Sequence, residues 1–348
     1  MSWIYSAVVA IRNKMFDNNM IKSVEHDIPI VVVGNLTVGG TGKTPITEQL
    51  VNSLTSKFNV AVLSRGYKRK SKGFMMVQTN VSYRKVGDEP KQIKLKFPTV
   101  PVAVCEDRNN GIKMLRRIEP DINLVILDDA FQHRYVEPWV TILLTDFNRP
   151  MHNDKMLPLG SLRDNLQQQI RANIVICTKC PPNPTPLDFR IIRQNLELMP
   201  YQHLFFTTTV SSEPIPMFPN VVEAYPKSAD KMIAVAGIAS PNSFFDYIDE
   251  KYTLVWKQKY PDHYAYKMKD LNKFIELLDK SPDDTYIVMT EKDAVKFISS
   301  KKIPLVLQRK MFYVSVAHRF LDDGQIQFNR ILEQYVRENQ KYNITHPV

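Results

Sequence analysis

Cysteine and glycine are both scarce in this chain, and long apolar runs are missing. Three cysteines among 348 residues, Cys105, Cys177 and Cys180, cannot build a disulfide framework, which points to a reducing cytoplasm. Cys177 and Cys180 make a C-x-x-C, but no second pair and no nearby histidine completes a zinc or redox site. The apolar "NIVIC" leading into it reads as a buried strand, so Cys177 is expected in the core. No stretch of about 18 uncharged apolar residues occurs, which argues against a transmembrane span.

Negative charge is also in deficit: 36 acidic residues face 46 basic ones, a net +10. The excess favours polyanionic partners, whether nucleic acid, anionic lipid or phosphorylated substrates. Aromatic-interleaved RNA motifs and zinc-finger spacings are absent, so a nucleic-acid partner is not expected. The opening "MSWIYSAVVAIRNKMFDNNM" has a short apolar stretch with no basic residue before it and no clear small-residue cleavage site, unlike a secretory leader. Trp3, Ile4, Ala7, Val8, Ile11 and Met15 fall at helical spacing. Their stripe fits a helix docked on the core or one lying on a membrane surface.

The length favours two domains. Continuous apolar runs recur at 29–34, 59–64, 99–105, 123–129, 140–146 and 173–179, the pattern of a parallel sheet covered on both faces. A doubly wound α/β domain follows. Proline and small polar residues gather in "CPPNPTPLDF" and "SSEPIPMFPN" and mark loops or a linker. Beyond them "KMIAVAGIASP", "TLVWKQ", "TYIVMTEKD" and "MFYVSV" suggest a smaller α/β unit. The expected division is 1–225 and 226–348, with a frayed tail from Arg337.

Four of the eleven glycines lie in "VVVGNLTVGGTGKTPITEQL", Val31 to Leu50. A β-branched run there meets a glycine-rich turn and a helix start. The Walker A pattern G-x-x-x-x-G-K-[ST] is met by Gly42, Lys43 and Thr44, with Thr37 in place of the first glycine. Gly39, Gly40 and Gly42 let backbone N–H groups converge on a phosphate, and a helix N-terminus favours the anion. Thr37 and Gly39 through Thr44, Thr41 included, are therefore the expected phosphate cradle. Lys43 would reach the β- and γ-phosphates, and the Thr44 hydroxyl a Mg²⁺ ion. Asp128 and Asp129, ending "NLVILDD", are the candidate second anchor for that ion. Candidate bases are Asp88 and Glu89 in "KVGDEP" and His263 in "YPDHYAY"; spacing alone does not join them.

Taken together and in order, "VVVGNLTVGGTGKTP", "LSRGYKRKSKG", "VGDEP", "CEDRNNG", "LDDAFQHR", "LPLGSLRD", "YPDHYAY" and "TEKDAVK" resemble the tetraacyldisaccharide 4′-kinase family. The resemblance covers about residues 31 to 296. It implies a P-loop NTPase-type catalytic domain and a smaller C-terminal α/β domain, with ATP meeting a membrane-borne sugar in the cleft between. The reaction implied is transfer of the γ-phosphate of ATP to the 4′-hydroxyl of a tetraacyl glucosamine disaccharide 1-phosphate, in lipid A biosynthesis. In that family Thr37 is normal at the first Walker position, Asp88 is the base and His263 its partner. Arg65, Glu89, Arg108 and Arg163 become candidate phosphate-side contacts, and Asp164, where the family can carry glutamate, a candidate magnesium-side residue. Ala130 replaces the glycine of the usual "DDGFQH", a strain if that position needs positive φ.

The basic loop Tyr67–Gly73 and the N-terminal stripe then suit a monomeric, cytoplasmic enzyme held peripherally at the inner membrane. Two other classes fit the motifs less well. A P-loop ATPase or GTPase switch lacks the expected lysine before the paired glycines, where Val38 stands. Its base-reading signature is also incomplete in "CTKCP", where Cys180 and Pro181 follow Thr178 and Lys179. A nucleic-acid-binding protein has only the basic charge in its favour.

Overall fold

The computed structural model describes residues 2–298, 300 and 302–345. Its strands are β1 (Ile30–Asn35), β2 (Val60–Ser64), β3 (Met75–Met76), β4 (Val102–Val104), β5 (Leu124–Asp128), β6 (Val140–Asp146), β7 (Ile174–Cys180), β8 (His203–Ser211), β9 (Ile215–Pro216), β10 (Lys231–Ala236), β11 (Thr253–Lys259), β12 (Thr285–Thr290), β13 (Met311–Val314) and β14 (Val316–Phe320). The helices are α1 (Ser2–Asp17), α2 (Lys43–Leu54), α3 (Tyr83–Val86), α4 (Asp88–Lys96), α5 (Arg108–Ile118), α6 (Pro186–Leu196), α7 (Asn242–Lys251), α8 (Met268–Asp279), α9 (Glu291–Ile298), α10 (Leu305–Lys310) and α11 (Gly324–Thr345).

A nine-stranded sheet has the order β14-β8-β7-β6-β1-β5-β2-β4-β3, and a five-stranded sheet the order β11-β10-β12-β13-β9. The continuous apolar runs are explained by cover on both faces. Val31 and Val33 of β1 pack with Ile46 and Leu50 of α2, while Ile30 and Val32 pack with Ile112 and Leu115 of α5. Each such buried side chain contributes roughly 1.5–3 kcal/mol. Strand β1 pairs in parallel with β5 on one side and β6 on the other. Its carboxyl end therefore opens at the switch point where an α/β sheet binds its ligand.

Two expectations are corrected by the strand pairing. The region bounded by the two proline-rich stretches, read as loops or a linker, holds β8 between them, because the prolines flank the strand rather than interrupt it. Those on the near side start α6, where Thr185 caps with Asp188 in a capping box and Pro186 takes the first turn. The division at 225 assigns everything after it to the smaller unit, yet β14 pairs antiparallel with β8 of the nine-stranded sheet. Helix α11 follows it back, placing Phe328, Leu332 and Val336 in the core against β6, β8 and β14. The run "MFYVSV" hid this because Ser315 separates two strands of different sheets. The expected frayed tail is helical through Thr345, and its last three residues lie outside the described residues.

Helix α1 combines both readings of its stripe in an unexpected way. It docks on the body through polar atoms: Ser2 to the Met156 carbonyl, Tyr5 to the Arg163 carbonyl, Arg12 to the Gln132 carbonyl and Asn13 to Asp164. Phe16 is buried, with the Arg134 guanidinium 4.9 Å from its ring centre. The apolar stripe faces out: Trp3 is 75% exposed and Val8 and Ile11 each 62%.

Candidate active site

The turn after β1 is shaped by its glycines and held from behind by side chains. Gly39 and Gly42 adopt left-handed backbone, φ 105° and 84°, which a β-carbon would strain. A β-carbon on Gly42 would also lie 2.1 Å from Nε2 of the buried His318. Gly40 has open space before it. Thr178 Oγ1 donates to the Thr41 carbonyl at 2.9 Å, Arg149 to the Val38 carbonyl at 2.8 Å, and Lys179 Nζ to the Gly40 carbonyl. Drawing these carbonyls to one side turns the N–H groups of Gly39 and Gly42 the other way, since a trans peptide points its two groups oppositely. The first amides of α2 continue the same donor surface. Pro45 fits because the first turn needs no N–H from it.

Thr37 is turned inward. It is 4% exposed and its hydroxyl accepts from Asn35. Its φ is not positive, so the first Walker glycine is dispensable here. Lys43 Nζ lies 3.1 Å from Asn35 Oδ1 and 3.8 Å from Asp129. Burial lowers its pKa, opposed by Asp129.

The paired aspartates end β5 in different environments. Asp128 is buried and accepts from Thr47 Oγ1 at 3.0 Å. Burial first, then the charges of Asp129 and Glu89, push it up to about 6. Burial would raise Asp129 too, but Lys43 and Arg163 outweigh it and hold it below the usual range. Both terminal nitrogens of Arg163 grip Asp129, and one also reaches Asn35 Oδ1 at 2.6 Å. The left-handed residue of this turn is Asp129, at φ 48°, and not Ala130. Alanine in place of the usual glycine therefore carries no backbone strain.

The structure joins the residues that spacing left apart. Gly87, at φ 96°, turns the chain into α4, and Asp88 and Glu89 occupy its first turn, where the dipole favours anions. His263 lies in the turn after β11 of the smaller sheet, itself at φ 60°. Its Nδ1 is 3.0 Å from Asp88 and its Nε2 is 3.1 Å from Lys292 Nζ. Nδ1 thus carries the hydrogen given to Asp88, and Nε2 accepts from the ammonium. Lys296, buried, is 3.7 Å from Asp88 and 2.9 Å from Asp293. Burial alone would raise Asp88, but the His263 hydrogen bond and the Lys296 charge hold it below the usual carboxylate range. Lys292 pairs with Glu89 at 2.8 Å. The Glu89 charge acts to raise both Asp128 and Lys43, and α4 packs against α2, the helix that follows the glycine turn.

Other expected residues are placed differently. Asp164 takes a hydrogen bond from Asn13 at 2.7 Å and sits 3.8 Å from Arg171. It anchors α1 through Oδ1, while its Oδ2 is buried with no hydrogen-bond partner among the described residues. Arg108 is buried and gives its hydrogen bonds to the carbonyls of Cys105 and Glu106; burial lowers it to about 10, still charged at neutral pH. Arg65 is exposed near it. In the basic loop Arg69 is withdrawn to Glu106 at 2.7 Å, leaving Lys68, Lys70 and Lys72 exposed. Cys177 and Cys180 are core residues.

The sequence motifs assign no role to Asn35, Arg149, Lys179, His318, Lys292 or Lys296. Two signals were available: Lys292 and Lys296 share a helix face at i, i+4 in "TEKDAVK", and Lys179 stands in the truncated "CTKCP" at the end of β7.

A family model described as Tetraacyldisaccharide-1-P 4′-kinase matches residues 1–337. The chain belongs to this family. A tetraacyldisaccharide 4′-kinase of Phocaeicola vulgatus is 41% identical over 346 residues, covering 98% of this chain and 94% of that protein. The protein of that name from Bacteroides thetaiotaomicron is 40% identical over 352 residues, covering 98% and 93%. The crystal structure of LpxK from Aquifex aeolicus, in complex with ATP, superposes with a TM-score of 0.73 at 25% identity, covering 96% of this chain and 97% of that one. As a member of the tetraacyldisaccharide 4′-kinase family the chain is an ATP-dependent kinase, and the expected large, mostly parallel sheet with a second, smaller sheet is borne out.

Proposed function

We propose that this kinase transfers the γ-phosphate of ATP to the 4′-hydroxyl of a tetraacyl glucosamine disaccharide 1-phosphate, with Asp88 taking the hydroxyl proton. The observation that supports this most is the Asp88–His263 pair, 3.0 Å apart, joining the start of α4 to the turn after β11 of the smaller sheet. Lys43 and the amides of Gly39, Gly42 and the start of α2 hold the phosphates. Asp88, kept ionised by His263 and Lys296, accepts a hydrogen bond from the sugar hydroxyl and orients it. A strong base is not required, since the hydroxyl becomes acidic only as its oxygen bonds to phosphorus.

The residues present fit a magnesium ion. The Thr44 hydroxyl and the Asp128 carboxylate are hard oxygen donors, and Asp128 has the Asp129 and Glu89 charges near it, which a cation would offset. Among the described residues no group of three acidic, histidine or cysteine side chains could hold a metal, so phosphate oxygens and water would complete the shell. When bound, Mg²⁺ supplies charge neutralisation at the β- and γ-oxygens.

The outward stripe of α1 and the exposed lysines 68, 70 and 72 support a membrane-surface enzyme at the cytoplasmic face of the inner membrane. Among the described residues no helix is long and apolar enough to cross a membrane. Replacing Trp3, Ile4, Val8 and Ile11 by serine is expected to weaken binding to anionic vesicles by more than about 100-fold, since each loses roughly 1.5–3 kcal/mol of burial. Co-sedimentation checks this, and unchanged binding would remove the stripe from the membrane contact.

The function itself is tested with γ-labelled ATP, Mg²⁺ and the disaccharide lipid in mixed micelles. Labelled bis-phosphorylated lipid is the expected product. Free labelled phosphate without labelled lipid would mean that the turn hydrolyses nucleotide for another purpose.

A further inference from the structure

Helix α4 is short and polar, yet six of its nine residues are buried. Its interior lysines are tied down on separate sides: Lys91 to the carbonyls of Gln78 and Thr79, Lys94 to those of Pro98 and Val100. Its far end meets two other helices at once. Gln92 Nε2 donates to Glu48 at 2.8 Å and to Glu291 at 3.3 Å. Lys96 Nζ lies 2.6 Å from Glu48 and 3.6 Å from Glu291. Glu48 belongs to α2, which starts at Lys43. Glu291 opens α9, which carries Lys292 and Lys296. The helices that bring the phosphate lysine, the base and the base's cationic partners thus share one mostly buried cluster.

We propose that Glu48, Lys96 and Glu291 are positioning residues that set Asp88 against the glycine turn by clamping α4 between α2 and α9, with the two carboxyls sharing one proton. Charge counting supports the sharing. Two carboxylates face one ammonium, and a buried surplus charge is costly. The groups facing Glu291 are Glu48 from α2, Lys96 and Gln92 from α4, and Tyr313 from β13; its neighbour Lys292 is turned to Glu89. Burial first, then the Glu48 charge, raise Glu291 to about 7, so one carboxyl keeps its proton below that pH. Protonation removes the repulsion between a helix of the large sheet and one of the small sheet, and Lys96 and Gln92 then bridge a cluster with no net charge.

This rests on Asp88 being the base, and the experiment separates the two. Lys96→Met is expected to lower kcat at least tenfold with the KM for ATP changed less than twofold. Lys96→Arg is expected to restore most of kcat, and Glu291→Gln, which fixes one carboxyl as neutral and keeps the shape, to leave kcat within twofold. Glu291→Gln should also abolish the part of the fall in thermal stability that the wild type shows between pH 6 and pH 8. Wild-type kcat in Lys96→Met, or kcat, ATP affinity and stability falling together, overturns the clamp, as does an unaltered pH–stability profile in Glu291→Gln. Asp88→Ala is assayed alongside: if it retains turnover the base assignment itself fails, and if it is inactive while Lys96→Met is normal only the clamp fails.

Discussion

Asp88→Ala lowers kcat for lipid phosphorylation by about 10²–10⁴-fold, the range for removing a general base, while ATP affinity stays within about threefold. The split follows from where Asp88 sits. Its partners are His263, in the turn after β11, and Lys296 and, electrostatically, Lys292 of α9, all beside the smaller sheet, whereas the phosphate cradle is held by Thr178 and Lys179 of β7 and by Arg149 after β6 in the larger one. The variant keeps its fold because Lys296 retains Asp293 at 2.9 Å and Lys292 retains Glu89 at 2.8 Å. An acid dependence should disappear with the residue. The folded pKa of Asp88 is lowered, so its contribution to stability is present above its unfolded value of 3.8 and is lost as pH falls through the folded one. Steady-state kinetics on micellar lipid and acid denaturation of the two proteins measure both effects. Turnover unchanged from wild type removes Asp88 from the chemistry.

What the sequence made legible was whatever local patterns dictate. Continuous β-branched runs announced the parallel strands, and Gly42-Lys43-Thr44 after β1 announced the anion cradle, because both follow from neighbours in the chain. The failures are non-local. Whether β14 pairs with β13's sheet or with β8 depends on a partner more than a hundred residues away, and Ser315 alone marks the change. Nothing local says that Asp164 also anchors α1, through Asn13 151 residues earlier. The polar docking of α1 was hidden because an apolar stripe at helical spacing reads as the buried face. Lys292 and Lys296 were visible as a pair, but nothing local says that they meet Asp88. The left-handed backbone of Asp129 and His263 is likewise imposed by the surrounding structure, as strained residues at functional sites commonly are.

Asp128→Asn stabilises the protein at pH 8 by roughly 3 kcal/mol and abolishes most of its transferase activity. Asp128 is 4% exposed, and its pKa rises from 3.8 to about 6, mainly through burial and then through the Asp129 and Glu89 charges. For an acid with a raised folded pKa, stability is fully present below the unfolded value and is lost as pH rises through the folded one. The ionised side chain therefore costs about 1.36 kcal/mol per pKa unit at pH 8. Asparagine removes that cost and keeps an oxygen to accept from Thr47, so the gain should vanish by about pH 4, where the native carboxyl is already neutral. The same substitution removes the charge that would draw a magnesium ion toward the Thr44 hydroxyl, and transfer is expected to fall at least about 100-fold, the scale of losing one preorganised electrostatic contact. Urea unfolding at pH 8 and pH 4, with and without Mg²⁺ and ATP, separates the outcomes. Equal stability of the two proteins at pH 8 would remove the burial cost. A stabilised variant with undiminished transfer would leave that cost standing and strip Asp128 of its part in binding the ion.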